Sequence, residues 1–94
     1  MKIRWARLAR SDIKAAYEYV AADSTDAADE FLERIRQSAA VLIRHPMAGL
    51  TGRIPGTREL VVPGAPWIMP YRIRRGFIDI LAVIHGARKW PDDL

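Results

Sequence analysis

The stretch WIMPYRIRRGFIDILAVIH, residues 67–85, decides the fold. From Trp67 to Arg74 the residues alternate: Trp67, Met69, Tyr71 and Ile73 take one face, and Ile68, Pro70, Arg72 and Arg74 the other. That is the period of a strand with one buried side. Arg75-Gly76 makes a tight turn, and Phe77 to His85, the most apolar segment of the chain, is the strand that follows. Pro70 has no N–H to give to a ladder, so it marks a bulge or an edge segment. Upstream, Pro63-Gly64-Ala65-Pro66 is a turn and Arg58 to Val62 a further strand, preceded by a loop rich in Gly and Pro from Met47 to Gly56. Downstream, Gly86 ends the last strand and leaves a short tail, Ala87 to Leu94.

The first half has the helical period. Lys2 to Ala6 alternates polar and apolar as a short half-buried strand. Ser11, which with its neighbour is the candidate N-cap, precedes Ile13, Ala16, Tyr17 and Val20, spaced as one face of a helix. Asp23-Ser24-Thr25-Asp26 breaks that helix and caps the next, whose stripe is Ala28, Phe31, Leu32, Ile35, Ala39, Leu42 and Ile43. Asp26, Asp29 and Glu30 fall in its first turn and Arg44 in its last, matching the helix dipole. His45-Pro46 stops it. Two helices with so short a link form an antiparallel hairpin. The expected fold is α+β, one domain over residues 1–94, ordered β-α-α-β-β-β. A helical hairpin lies on one face of a small, mainly antiparallel sheet. The first strand lies either parallel to the last or at an edge.

Composition bounds the function. The chain has 94 residues, no cysteine and two histidines, with half its residues hydrophobic and 28% charged. This excludes a disulfide framework and a thiol nucleophile and argues against a structural zinc site. No apolar run has the length of a membrane span, and Lys2 and Arg4 are not followed by a signal-type stretch, so the cytoplasm is the expected compartment. The net charge is +4, unevenly spread. Residues 1–46 hold eight basic and seven acidic groups, whereas residues 47–91 hold seven basic groups against Glu59 and Asp79. A basic half suggests an acidic partner, nucleic acid or protein; arginine as an ordinary solvated surface residue is the other reading.

No catalytic motif stands out. The serines lack a nucleophile elbow, and Gly49, Gly52 and Gly56 sit among prolines rather than in a phosphate loop. Asp23, Asp26, Asp29 and Glu30 are explained by capping and the helix dipole rather than by a metal. Three sets remain. Arg72 and Arg74 share a strand face and Arg58 begins the preceding strand. Together they form either an anion-binding surface or a solvated face paired with Glu59 or Asp79. His85, Arg88 and Lys89 flank Gly86. There the histidine is either a general base beside a charge-stabilising Arg88 or a packed residue bonded to backbone. Trp90, in the tail, is either an interface anchor or a cap folded onto the sheet edge.

The ordered set resembles a known family. Ser11-Asp12-Ile13, Tyr17, Val20, Ala27-Ala28, Phe31, Ile35, Pro46 and Gly49 lead into Arg58-Glu59-Leu60 and Tyr71-Arg72-Ile73. The chain then runs through Ile80-Leu81-Ala82-Val83-Ile84 into His85-Gly86-Ala87-Arg88. Together they look like the ParE branch of the RelE/ParE toxin superfamily, over essentially the whole chain. The resemblance implies the toxin of a type II toxin–antitoxin pair, without cofactor or metal, neutralised by a ParD-like antitoxin in a hetero-oligomer.

ParE-type members poison DNA gyrase, and RelE-type members cleave messenger RNA on the ribosome. The RNA-cleaving pattern has lysines on the first strand after the hairpin, an arginine on the next, another after the last strand, and a tyrosine in the tail. In an approximate register this chain carries Glu59 and Val61, then Ile68, then Arg88, then Leu94. Only Arg88 matches, which leaves proton transfer from a 2′-hydroxyl without a base. The expectation is therefore a non-enzymatic gyrase binder that recognises its partners through Arg58, Arg72, Arg74, Arg88, Lys89 and Trp90. The runner-up is a ribosome-dependent nuclease using Arg88 with Arg58 or Arg72 and His85. A third reading is an inactive module that binds only its antitoxin. An acidic amphipathic antitoxin segment that folds on binding would suit apolar grooves beside the hairpin, and the basic half would speed its association.

Overall fold

A single residue, Ala6, separates the first strand from the first helix. The chain, as a computed structural model, runs β1 (Lys2–Trp5), α1 (Arg7–Ala21), α2 (Thr25–Arg44), β2 (Leu50–Thr51), β3 (Arg58–Val61), β4 (Trp67–Arg74), β5 (Phe77–Ile80) and β6 (Ile84–His85). It describes residues 1–64, 66–92 and 94; Ala65 of the expected 63–66 turn and Asp93 of the tail lie outside the described residues.

Ser11 is not a cap. The Ala6 N–H donates to Ile80 O (2.9 Å), and Ala6 O accepts from Arg10 N, so the helix starts directly off the edge of the sheet. Ala6 has no side-chain cap, and Ser11 is an exposed residue within α1. The link to α2 matches the expectation: Ser24 Oγ accepts from Ala27 N at 3.1 Å. That cap leaves only Asp26 in the first turn. Asp29 instead accepts from the Tyr17 hydroxyl (2.8 Å), and Glu30 from Arg34.

The sheet order is β1-β5-β4-β3-β2. β1 is both parallel to β5 and at the edge; the other ladders are antiparallel. The segment from Phe77 to His85 is not one strand. β5 pairs Tyr71 with Ile80, and β6 pairs Ile68 with Ile84, so one extra residue has been inserted between them. That bulge lies opposite Pro70. Leu81 N donates to Pro70 O (2.9 Å), but the proline has no N–H to return, so half of this closely spaced pair is missing. β2 was not expected in the 47–56 loop. It is two residues long and is held against β3 by Arg53, whose backbone and guanidinium both bond Glu59.

The inner face of the sheet carries Ile3, Trp5, Ile78, Ile80, Trp67, Met69, Tyr71 and Leu60 against Ala9, Ala16, Phe31, Ile35 and Leu42 of the hairpin. Fully burying each large apolar side chain stabilises by roughly 1.5–3 kcal/mol. Tyr71 is completely buried yet polar at its tip. Its hydroxyl donates to Pro46 O (2.7 Å) and accepts from Gly49 N (2.9 Å), fastening the loop after α2 to the middle of β4. Burial raises its pKa above the ordinary tyrosine value. A Cβ at position 49 would stand 2.6 Å from the Tyr71 ring, which makes glycine necessary there.

Replacing Tyr71 by Phe keeps the ring but strands a buried N–H and C=O. A loss of about 1–3 kcal/mol is expected, read as a Tm drop of roughly 4–8 °C per kcal/mol. An unchanged Tm would contradict this fastening.

Candidate functional site

Strand alternation sends Lys2 and Arg4 of β1, Phe77 and Asp79 of β5, and Arg72 and Arg74 of β4 to the sheet face away from the helices. Asp79 stands between Arg4 and Arg72 in one row, and Phe77 between Lys2 and Arg74 in the next. Arg4 takes the carboxylate through two bonds, Nε to Oδ1 at 2.6 Å and Nη2 to Oδ2 at 3.1 Å. Its guanidinium also lies over the Phe77 ring, 4.0 Å from the centroid. The Arg4 bonds hold the Asp79 carboxyl below its ordinary pKa, and the fields of Arg74 and Arg72 add to this. Glu59 is likewise held low by Arg53. Both carboxylates suggested as partners for Arg72 and Arg74 are thus occupied by other arginines. Among the described residues, Arg72 and Arg74 form no ion pair.

Arg58 does not join them. It is paired opposite Tyr71, so its side chain leaves the sheet on the helix side. There Nη1 donates to Gly49 O (2.8 Å), with a longer contact to Met47 O (3.4 Å). It fastens the same loop that Tyr71 holds, and the three-arginine face expected from sequence is a pair, Arg72 and Arg74.

His85 stands opposite Trp67, also on the helix side. Its ring meets Trp67 edge-on at 5.3 Å, and Trp67 packs against Phe31 at 5.1 Å. Nδ1 accepts from Ala87 N (3.1 Å), and His85 O accepts from Arg88 N (2.9 Å), closing the turn that presents Arg88. This is the packed, backbone-bonded histidine. Arg72 lies five residues along β4 from the partner of His85, about 16 Å away, and on the opposite face. Arg58, Arg72, His85 and Arg88 therefore do not surround a common point.

The tail folds back. The Arg53 guanidinium, in the loop after β2, covers the Trp90 ring at 3.6 Å, while Lys89 and Arg88 are exposed. Sequence reading missed Asp12. Its Oδ2 accepts from Val83 N (3.0 Å) in the bulge, tying α1 to the segment that leads to Arg88. Burial raises its pKa, partly offset by the Val83 bond and the charge of Arg88. The signal was an acid directly beside Ile13 of the α1 stripe.

A groove runs between α2 and the free edge of β3. Val41, Leu60, Val61 and Pro63 give it an apolar lining, with Glu30, Glu33, Arg34 and Gln37 along it. β2 covers only Arg58 and Glu59, so the β3 edge is open beyond that point, and Val61 is 57% exposed. Among the described residues, no helix is long and apolar enough to cross a membrane.

The carboxyl shifts fix the sign of the acid response. For Asp79 and Glu59 the folded pKa is lowered, so their contribution is complete above the ordinary carboxylate range and is lost as pH falls through the folded values. Asp12 has the opposite sign: its raised pKa favours the fold at low pH, and that gain is lost as pH rises. In denaturant titrations across the acid range, Asp79→Asn and Glu59→Gln should each flatten the fall in stability below pH ~4. A fall as steep as that of the parent chain would contradict the two pairings.

Residues 3–90 match the family model described as ParE toxin of type II toxin-antitoxin system, parDE. A curated relative from Sinorhizobium fredii, named "Putative toxin Y4kP", is 39% identical over 93 residues, covering 99% of this chain and 96% of the relative. The fold superposes on a chain of a chromosomal ParDE toxin–antitoxin system from P. aeruginosa with TM-score 0.80 and 27% identity, covering 90% of this chain and 95% of that one. The crystal structure of a YafQ mutant from E. coli shares the fold at TM-score 0.63 and 17% identity, covering 92% of this chain and 93% of that one. On sequence and fold together, the chain belongs to the ParE toxin family of type II toxin–antitoxin systems.

Proposed function

We propose that this toxin acts by binding DNA gyrase and trapping its cleaved-DNA state, without catalysing a reaction of its own, and that a ParD-like antitoxin neutralises it in the cytoplasm. The observation that carries the reading is the dispersal of the candidate catalytic groups. Cleavage by 2′-hydroxyl attack needs a base for that proton and cations around the pentavalent phosphorus, within hydrogen-bond reach of one point. Here Arg58 is bound to loop carbonyls, the His85 ring packs on Trp67 with Nδ1 engaged by Ala87 N, and Arg72 faces the other way. Arg88 alone remains exposed in the matching position. The P. aeruginosa relative, solved as part of a ParDE system, supports the antitoxin half of the reading.

The antitoxin segment is assigned to the groove between α2 and β3. An amphipathic helix or strand seats its apolar side on Val41, Leu60 and Val61. Val61→Asp leaves a half-exposed position charged, so the fold should keep its Tm while antitoxin affinity falls at least ~10-fold, the equivalent of about 1.4 kcal/mol. Unchanged affinity would move the antitoxin elsewhere.

The gyrase assignment is tested with purified toxin, gyrase and supercoiled plasmid, scoring linear DNA after detergent and protease. Linear product that disappears on adding antitoxin is expected. Untouched supercoiling at micromolar excess would overturn the assignment, and discrete cuts in translated messages would then establish the nuclease.

A further inference from the structure

The charge of this protein is concentrated in one place. Lys2, Arg4, Arg72, Arg74 and Arg75 against Asp79 carry a net +4, which is the formal charge of the entire chain, so the remainder sums to zero. They occupy three adjacent strands, about 10 Å across, and the β4–β5 turn, which holds Arg75. Lys2 N donates to Gly76 O (3.3 Å), bringing the N-terminal edge beside the turn. Arg4, Arg74 and Arg75 line a recess there, together with Phe77.

The turn itself adds a second observation. Arg75 and Gly76 both have positive φ, 51° and 83°, as a two-residue type I′ hairpin requires. Arg75 is the only residue other than glycine in that region among the described residues. Asn, Asp or Gly would adopt it at less cost, so an arginine is held in a strained conformation beside two others.

We propose that this face binds the phosphate backbone of duplex DNA. Arginine forks match phosphate oxygens bidentately, and a dense cationic patch meets a polymer with one negative charge per about 1.7 Å of axis. An acidic amphipathic peptide also needs apolar seats, and those lie in two grooves beside α2, one against the β3 edge and one against Ile3 and Trp5 of β1, rather than among these cations. Single-stranded nucleic acid is bound by stacking its bases on open aromatic rings, but here the ring of Phe77 is covered by Arg4. The contact is therefore to the backbone and independent of sequence, with Arg72, Arg74 and Arg75 contributing guanidinium groups that form no ion pair among the described residues. It stands apart from the gyrase assignment, because the face would hold DNA whether or not gyrase is present.

The test is fluorescence anisotropy of the full-length chain with a labelled ~20-bp duplex, at several salt concentrations and without gyrase. Micromolar binding at low salt is expected, with log K falling against log[salt] at a slope near −3 to −4. Arg72→Ala/Arg74→Ala should weaken binding at least ~10-fold and reduce the slope by about two. Lys14→Ala/Arg36→Ala, which removes equal charge from the helices, should leave both unchanged. Arg75→Gly should raise Tm by a few degrees while weakening DNA binding several-fold. Absence of binding at low salt, equal loss in both double variants, or full affinity in Arg72→Ala/Arg74→Ala would each overturn the proposal. So would a tenfold preference for single-stranded RNA or an acidic peptide over the duplex. Because gyrase is absent, failure here leaves the plasmid result to judge that target independently.

Discussion

Successive side chains of β4 leave the backbone on opposite sides, and this alternation sets both the stability of the protein and the surface it offers. Met69 and Tyr71 are driven beneath the helical hairpin, where they are fully buried, while Arg72 and Arg74 remain on the open side. A one-residue slip in register would place guanidinium groups in the core and aromatic rings in water. The Tyr71 hydroxyl, bonded to Pro46 O and Gly49 N, helps to exclude such a slip, because its two partners belong to a loop that Arg58 also holds. The strand that organises the core therefore also carries Arg72 and Arg74 of the outer face.

The parts legible in the sequence are those governed by local period. The stripes of α1 and α2, the alternation of β4 and the Arg75-Gly76 turn all depend on neighbours a few residues apart, and the structure follows them, except that Ile43 at the end of the α2 stripe is exposed. Parts that depend on pairing partners were not legible. Ser11 has the chemistry of a cap, but Ala6 is bonded to Ile80 across the sheet, so the helix begins one turn earlier. Pro70 signalled a bulge, yet the inserted residue lies in the facing segment, which divides the last strand in two. Arg58 was grouped with Arg72 and Arg74 by charge. Its face is fixed by its pairing with Tyr71, a register no single strand contains. Asp12 read as one more helical acid, and only the three-dimensional fold reveals the bulge amide it satisfies.

The same geometry separates two surfaces. The groove beside α2 is apolar with mixed charge along it, since Glu30 and Glu33 are engaged by Arg34 and Arg36. The hairpin end of the outer face is cationic. An antitoxin that seats apolar residues in the groove and a target reached through the arginines need not compete for the same atoms. Long-range attraction from the +4 patch would still speed association of any acidic partner. Of the residues considered for RNA cleavage, Arg58 and His85 leave the sheet on the helix side and Arg72 on the other.

The most direct test of a binding toxin against a cleaving one is to induce the chain in cells without antitoxin and, in the same culture, map chromosomal double-strand ends and messenger RNA 5′ ends. The account predicts double-strand ends that accumulate with induction and vanish when gyrase is inactivated, over a messenger population with no new ends. New RNA ends phased with codons, on intact chromosomes, would contradict it.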